Sequence, residues 1–348
     1  MTRTIDFRFH VVRDGGDFCL LQPAPGSSPT IRMDDSGDIK TSLTGSFLIP
    51  EAEVDWMTDE IRPEMIIDGT VHRLGMFLPA TVTENDDEPC KTIQIEAYDR
   101  GWLARDTTAE SMPFFASGTN YLDAVGSQLT GAGIVRISFT PTEATLTEDR
   151  EDWFVGTSAL QIANDLLDEI NYDHVWFDGD GTCVLKPAST PTAENIMHVL
   201  DESNVESLLL PGMSRSTDFY STPNVFICIC SNADKAAPLV SIAENTNPQS
   251  PLSIARRGRR IVEVVQVDNI ASQEELDLYS QRLVTESMLT GETINVQTAL
   301  LPGFGVGDVT ALQYGDIFSI CRERAWTMQL NVGGTMTHSL ERVVMNLG

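Results

Sequence analysis

The chain has 348 residues, with 23 Lys and Arg against 51 Asp and Glu, so its formal net charge is −28. A field of that sign excludes a protein that coats nucleic acid by neutralising phosphates. At roughly 100–200 residues per domain the length fits two or three domains, and 41% hydrophobic residues supply a core for each, which excludes disorder throughout. No stretch approaches the ~20 consecutive apolar residues of a bilayer helix. The N-terminus shows no apolar core followed by a small-residue cleavage site, so the chain reads as soluble and without an export signal, with no membrane insertion. Six cysteines at irregular spacing do not resemble a secreted disulfide framework, and a reducing cytosol is the expected site of synthesis.

The first third reads as β-structure. Ile5, Phe7, Phe9 and Val11 alternate with Thr4, Asp6, Arg8 and His10, the period of a strand that covers a core on one side. Asp14-Gly15-Gly16-Asp17 supplies a turn, and Phe18 to Gln22 returns as the partner strand. Further strands are predicted over residues 41–49, 73–82 and 91–99. In the last of these, Ile93, Ile95 and Ala97 face opposite to Thr92, Gln94 and Glu96. Turns are expected at residues 66–70 and in the acidic stretch 84–89. Short strands without intervening helices imply a sandwich or a small barrel.

Beyond Arg105 the character changes. Tyr121, Leu122, Val125 and Leu129 fall on one helical face, and Gly131 and Gly133 stop that helix. Ser158-Ala159-Leu160-Gln161 is a capping box, opening a second helix with Leu160, Ala163, Leu166 and Leu167 in its stripe. Residues 175–185 form a hairpin around Asp178-Gly179-Asp180-Gly181. Strands then return at Phe219-Tyr220, residues 224–230 and 261–267. A helix is predicted from the capping box Ser272-Gln273-Glu274-Glu275 through Met288. Strands follow over residues 293–300, 317–322, 326–332 and 339–345.

The search for chemistry yields little. Five histidines stand at no metal-ligand spacing, so neither a metal site nor a cofactor is expected. His10, on a polar strand face, reads as solvated or at an interface. His198, three before Asp201, reads as half of a helical pair with a structural role. Cys228 and Cys230, two apart in a strand, put both thiols on one face for packing. Gly303-Phe304-Gly305-Val306-Gly307 lacks the GK[ST] ending of a phosphate loop and reads as a turn or bulge. Asp178 to Gly181 lacks the twelve-residue calcium pattern. In so acidic a chain some carboxylate pair always falls within glycosidase distance, so abundance alone carries little weight. One basic cluster stands out: Arg256-Arg257-Gly258-Arg259-Arg260. It could grip phosphate or be a solvated loop. A candidate subunit interface made by Arg256, Arg257, Arg259 and Arg260 is the preferred reading, because arginine is enriched at interfaces and pairs bidentately with carboxylates.

The order of elements resembles the baseplate hub family of phage tails, which includes late-control D proteins and the N-terminal part of type VI secretion spike proteins. The carriers are Ile61-Arg62-Pro63 with residues 68–77 (DGTVHRLGMF), Ile95-Glu96-Ala97-Tyr98-Asp99-Arg100, Thr157-Ser158-Ala159-Leu160 leading to Asn171-Tyr172, Asp178-Gly179-Asp180-Gly181 through Lys186-Pro187, and Gly307-Asp308-Val309. The resemblance implies an α+β, mainly β, fold: two related tail-tube-like β-barrel domains, an inserted α/β domain, and a helix-containing insertion in the second barrel. Residues 1–105 would be the first barrel and 106–202 the α/β domain. Residues 203–348 would be the second barrel, interrupted at about 231–298.

By the same resemblance the protein is a non-enzymatic structural virion protein, a baseplate or tail-tip hub. It would form a homotrimer whose six barrels make a pseudo-hexameric ring, joining the tail tube protein to the central spike or tail-tip protein, beside other baseplate proteins. The ring would leave a channel for DNA passage without specific nucleic-acid binding. Its place would be the virion tail, after assembly in the host cytoplasm, or a contractile injection system. The rival reading is a tail-tip carbohydrate-active hydrolase or carbohydrate-binding module using paired carboxylates.

Overall fold

Alternating apolar and polar residues closed by Asp-Gly turns set the architecture of the N-terminal region. The computed structural model describes residues 3–87, 90–188, 191–204, 207–216, 222–230, 238–248, 250–267, 273–289 and 292–342. The chain divides into two units: Met1–Thr190 with Thr298–Gly307 and Arg324–Thr337, and Pro191–Gln297 with Asp308–Glu323 and His338–Gly348.

The first unit begins with β1 (Ile5–Arg13), β2 (Gly16–Leu21), β3 (Thr30–Asp34), β4 (Thr41–Leu48), β5 (Glu60–Ile67), β6 (Thr70–Arg73), β7 (Phe77–Asp87) and β8 (Cys90–Asp99). Their neighbour order is β3-β4-β8-β7-β5-β1-β2, with β6 on β5. Asp14 (φ 50°) and Gly15 (φ 77°) make the two-residue turn between β1 and β2, and Asp68 (φ 48°) and Gly69 (φ 86°) that between β5 and β6. Both are left-handed pairs of the kind that matches strand twist. Beyond β2 the chain turns back onto β4: Ala24 N–H donates to Ser46 O at 2.9 Å and Leu48 N–H to Gln22 O at 2.8 Å. The sheet thus returns on itself around a core of Phe9, Val11, Ile61, Phe77, Ile93 and Ile95, all 1% exposed or less. Phe9 and Phe47 meet edge to face at 5.2 Å.

Two predictions for this region need correction, and two strands were missed. The strand expected over 73–82 is broken at residues 74–76 and belongs to β6 and β7. The acidic turn expected at 84–89 is strand as far as Asp87, because the ladder Glu84↔Ile93, Asp86↔Lys91, Asp87↔Cys90 extends to the tip; Glu88 and Pro89 lie outside the described residues. Strands β3 and β5 had no prediction at all.

The unit continues with α1 (Gly101–Asp106), α2 (Tyr121–Gly131), β9 (Ile137–Phe139), α3 (Ala159–Glu169), β10 (Trp176–Phe177) and β11 (Cys183–Leu185). Asn120 caps α2 by accepting from Leu122 N–H, and Ser158 caps α3 by accepting from Gln161 N–H. The predicted Ser158 cap and both stripes hold: Leu122, Val125, Leu129, Leu160, Leu166 and Leu167 are buried in one cluster, packed with Phe177, Cys183 and Leu185 of the β10-β11-β9 sheet. The Arg150 guanidinium clamps Glu169 with two bonds of 2.8 and 2.9 Å and also pairs with Asp152. Those carboxylates hold Arg150 in its charged form against the cost of burial.

The second unit contains β12 (His198–Asp201), β13 (Leu209–Ser216), β14 (Val225–Cys230), β15 (Leu239–Glu244), α4 (Ile254–Arg257), β16 (Val262–Val267) and α5 (Gln273–Leu289). After these come β17 (Glu292–Ala299), β18 (Val309–Tyr314), β19 (Ile317–Gln329) and β20 (Thr335–Arg342), of which β17, β19 and β20 each run from one unit into the other. Strand β12 lies parallel to β18 and β18 antiparallel to the start of β19. Strands β15, β14 and β16 form a separate three-stranded sheet, with β14 antiparallel to β15 and parallel to β16. Helix α5 covers one face of it: Leu276 packs on Cys228 and Cys230, and Val284 on Phe226 and Ala243.

Here the predicted strands 317–322 and 326–332 are one continuous strand, β19. His198 sits in a strand, not a helix, because its segment pairs with β18. Phe219-Tyr220, the cap Ser272 and residues 343–345 lie outside the described residues.

Candidate functional site

Three of the segments that carry the resemblance, around Arg73–Gly75, Asp99–Arg100 and Asp178–Gly181, meet in the first unit. Asp178 makes the β10–β11 turn by accepting from the N–H groups of Asp180 and Thr182, both at 2.9 Å, which commits that carboxylate to the turn. The turn is then fastened to the segment after β6. Gly75 N–H donates to Gly179 O at 2.9 Å, Arg73 pairs with Asp180 at 2.9 Å, and Arg100 reaches Gly181 O at 3.4 Å while gripping Glu60 through bonds of 2.6 and 2.7 Å. Glycine is required at two points of this clamp. A Cβ on Gly179 would collide with the Arg73 carbonyl, and one on Gly181 would come within 2.5 Å of Met76 Cγ.

Asp99, beside Arg100, is fully buried. Its Oδ2 accepts from Thr41 N–H and its Oδ1 from Gly101 N–H, both at 2.8 Å. Burial pushes its carboxyl up to about 6, against the pull of those two backbone donors.

A recess of about 900 Å³ lies beside the clamp, lined by Arg62, Glu64, Arg73, Asp180, Trp176 and Phe304 among others. Its charges are mutually engaged. Arg62 pairs with Asp17 at 2.7 Å and Glu64 at 3.1 Å, and the half-buried His10 stands between the same two carboxylates at 3.3 Å from each. A glycosidase instead holds one carboxyl protonated and a second poised across the bond to be cut. This network locks β1, β2 and β5 together.

The arginine cluster lies in the second unit, between β15 and β16. Ser253 caps α4 by accepting from Arg256 N–H, and Gly258, at φ 66°, closes it. Asn224 anchors the loop, donating to Leu252 O at 3.2 Å and Arg259 O at 3.1 Å and accepting from Ile261 N–H at 2.7 Å. The four guanidinium groups have different surroundings. Arg257 is half-buried and donates to Thr222 O, Arg260 pairs with Glu244 at 2.6 Å, and Arg256, Arg259 and Arg260 are exposed. They therefore rim one end of the β15-β14-β16 sheet.

Sequence reasoning missed a buried ion pair in the second unit. His338 Nδ1 and Glu323 Oε2 are 3.1 Å apart and both side chains are fully buried. Burial raises the Glu323 carboxyl above its ordinary range while His338 opposes the shift. His198, read as structural, pairs with Asp308 at 3.0 Å, because β12 and β18 run side by side. Alternation in β19 and β20 was the signal that could have exposed Glu323 and His338 as inward-facing. Among the described residues, no group of three or more His, Cys, Asp or Glu is placed to hold a metal ion.

No protein-family model matches the sequence, and no curated protein matches it. Solved structures do. The chain superposes on a 43 kDa tail protein of prophage MuSo2 from Shewanella oneidensis with a TM-score of 0.70 at 10% identity, covering 97% of this chain and 98% of that one. A tail protein from Neisseria meningitidis gives 0.68 at 12% identity, with 97% and 96% covered. A type VI secretion component of E. coli, described as structurally similar to T4 tail proteins gp27 and gp5, gives 0.53 at 9% identity, with 100% and 78% covered. The resemblance therefore extends to the whole fold: this mainly β chain is folded as these tail proteins and the type VI secretion component are.

Proposed function

We propose that the protein is a structural subunit of a phage baseplate or tail tip, a hub that forms a homotrimer and joins the tail tube to the central spike. The observation that carries this reading is the match along nearly the full length of both chains to tail proteins. Residues 1–105 would be one barrel of the ring, and the sheet that returns on itself through Ala24 and Leu48 supports that assignment. Residues 203–230 and 299–348 would be the other, with 106–202 and 231–298 as insertions. Three copies then offer six barrels to a hexameric tube, and cyclic closure satisfies surfaces that a lone subunit leaves exposed.

The net charge of −28 suits a channel wall. Like charges repel within a Debye length of ~8 Å at physiological salt, so DNA would pass without sticking. The role is non-enzymatic, and the subunit takes its place in the virion tail after assembly in the host cytoplasm. Light scattering of the full chain should give three times its 38.2 kDa mass, alone or with tube protein, and negative-stain images should show rings. A monomer at every concentration, even with tube and tip partners added, would overturn the proposal.

A further inference from the structure

The β15-β14-β16 sheet is covered by α5 on one face, while on the other Val225 is buried but much of the aliphatic surface is exposed. Opposite α5, the register aligns Ile242, Ile227 and Val264 in one row, Val240, Ile229 and Gln266 in the next, and Glu244, Val225 and Val262 in the third. Ile242 and Val264 are each 56% exposed, and Val240 and Val262 are also open to solvent around the half-buried Ile227 and Ile229. A solvated sheet face ordinarily carries polar residues. This one is aliphatic, and Arg256, Arg259 and Arg260 stand at the end where Glu244, Val225 and Val262 lie.

A surface of opposite character occurs in the first unit. Residues 110–114 and 151–155 form two facing strips, tied at one end by Phe115 and Arg150, whose N–H and C=O groups bond reciprocally at 3.0 and 2.8 Å. At the other end Gly156 N–H donates to Ala109 O at 2.8 Å. Phe115 and Trp153 are buried beneath, edge to face at 5.7 Å, and hold the strips rigid. On the outside, Met112, Phe114, Phe154 and Val155 are exposed, Phe154 by 76%. Glu110, Glu148 and Glu151 are exposed around them.

We infer that these two surfaces meet between copies: the acidic-rimmed strips carrying Phe114 and Phe154 on one subunit dock onto the arginine-rimmed aliphatic sheet face of the next. This rests on the ring proposed above and assigns the parts that close it. Charge chooses the occupant. In a chain that repels itself at −28, one of the few cationic patches lies beside one bare apolar face, and the protein's own exposed apolar strips carry the matching anionic rim. The contact is heterologous, since the two patches differ, and such contacts form rings when the rotation closes. Area points the same way. Three six-residue strands span roughly 20 by 14 Å, about 300 Å², short of the ~800 Å² per partner of a stable interface, so the arginine loop must join the sheet in the contact.

The test uses the full chain. Ile242→Glu and Phe154→Glu, each shown folded by circular dichroism and thermal unfolding, should weaken self-association roughly thirtyfold, as at an interface hot spot. Arg256→Glu should weaken it about tenfold, and adding Glu151→Arg to the same chain should recover part of that loss. A photo-crosslinking amino acid in place of Ile242, in mixed light and heavy isotope-labelled copies, should give mixed-label products mapping to residues 107–157. Unchanged association in both glutamate variants, or mixed-label products mapping elsewhere, would overturn this pairing while leaving the ring intact. A wild-type chain that never associates would overturn the pairing and the ring together.

Discussion

Two three-stranded sheets in this molecule make opposite use of apolar side chains. The β10-β11-β9 sheet has strands of only two or three residues, yet it belongs to a broad core with α2 and α3 that takes in Leu122, Leu129, Leu166, Phe177 and Cys183. The β15-β14-β16 sheet has strands of six residues, one covering helix, and two small clusters beneath it. On its other face Val225 is buried, but Val240, Ile242, Val262 and Val264 are exposed. Burial of an isoleucine or leucine contributes about 1.5–3 kcal/mol, so the first sheet's buried residues stabilise the subunit, whereas the second sheet's exposed Ile242 and Val264 add little to it. Apolar content alone does not foretell the difference; how much of it neighbouring elements cover does.

The largest expected effect lies in the first of these cores. Leu166→Ala, at a fully buried position of α3, should cost about 2–5 kcal/mol in denaturant unfolding. A loss below 1 kcal/mol would mean that this core is looser than its packing shows. Next, Gly179→Ala forces a methyl group into the Arg73 carbonyl and should cost about 1–3 kcal/mol, while Gly118→Ala, with open space around it but φ at 85°, should cost only about 1 kcal/mol. Equal losses would show that the clamp is not the constraint.

Asp99→Asn should cost about 1–3 kcal/mol, because an amide offers one acceptor oxygen to two buried N–H groups. Its pH dependence sharpens the assignment. The folded carboxyl, raised to about 6 from 3.8, binds more protons than the unfolded one between those values, so this residue's contribution is largest below about pH 4 and declines as pH rises through 6. The wild type should lose that increment across pH 4–6 and the Asn variant should not, as thermal unfolding at both pH values would reveal. The smallest effect belongs to the second sheet. Ile242→Ala should change monomer stability by under ~0.5 kcal/mol, within the range of surface substitutions. A loss as large as that of Leu166→Ala would erase the distinction between the two sheets.

What was legible in the sequence follows the same physics. Alternation in β1, β4 and β8 marks strands because one face of each is buried and the other wet. The turns at Asp14-Gly15 and Asp68-Gly69 are readable because few residues accept positive φ. Strand β5 was hidden. Pro63 within it argues against a strand and Glu64 looks like a solvated residue, yet Ile61 and Met65 face the core, Glu64 on the opposite face is buried against Arg62 and His10, and Pro63 contributes its carbonyl to Leu74 N–H. Strand β19 was split for the same reason, since Glu323 looks like a loop residue until His338 is placed beside it. The arginine cluster was visible as composition, but the sheet face it borders was not, because Ile227 and Cys228 look alike until the side covered by α5 is known.

The sequence by itself determined the β-rich character, the helix cap at Ser158, the stripe of α2 and the tight turns. All of these depend on neighbours a few residues apart. Only the tertiary structure decided that the Asp178–Gly181 turn locks onto Arg73 and Gly75, that Glu64 and Glu323 can be buried, and that Ile242 and Val264 stay exposed on the sheet face away from α5. Those outcomes depend on partners tens to more than a hundred residues away along the chain, where local pattern carries no information about which charges will meet or which faces will be covered.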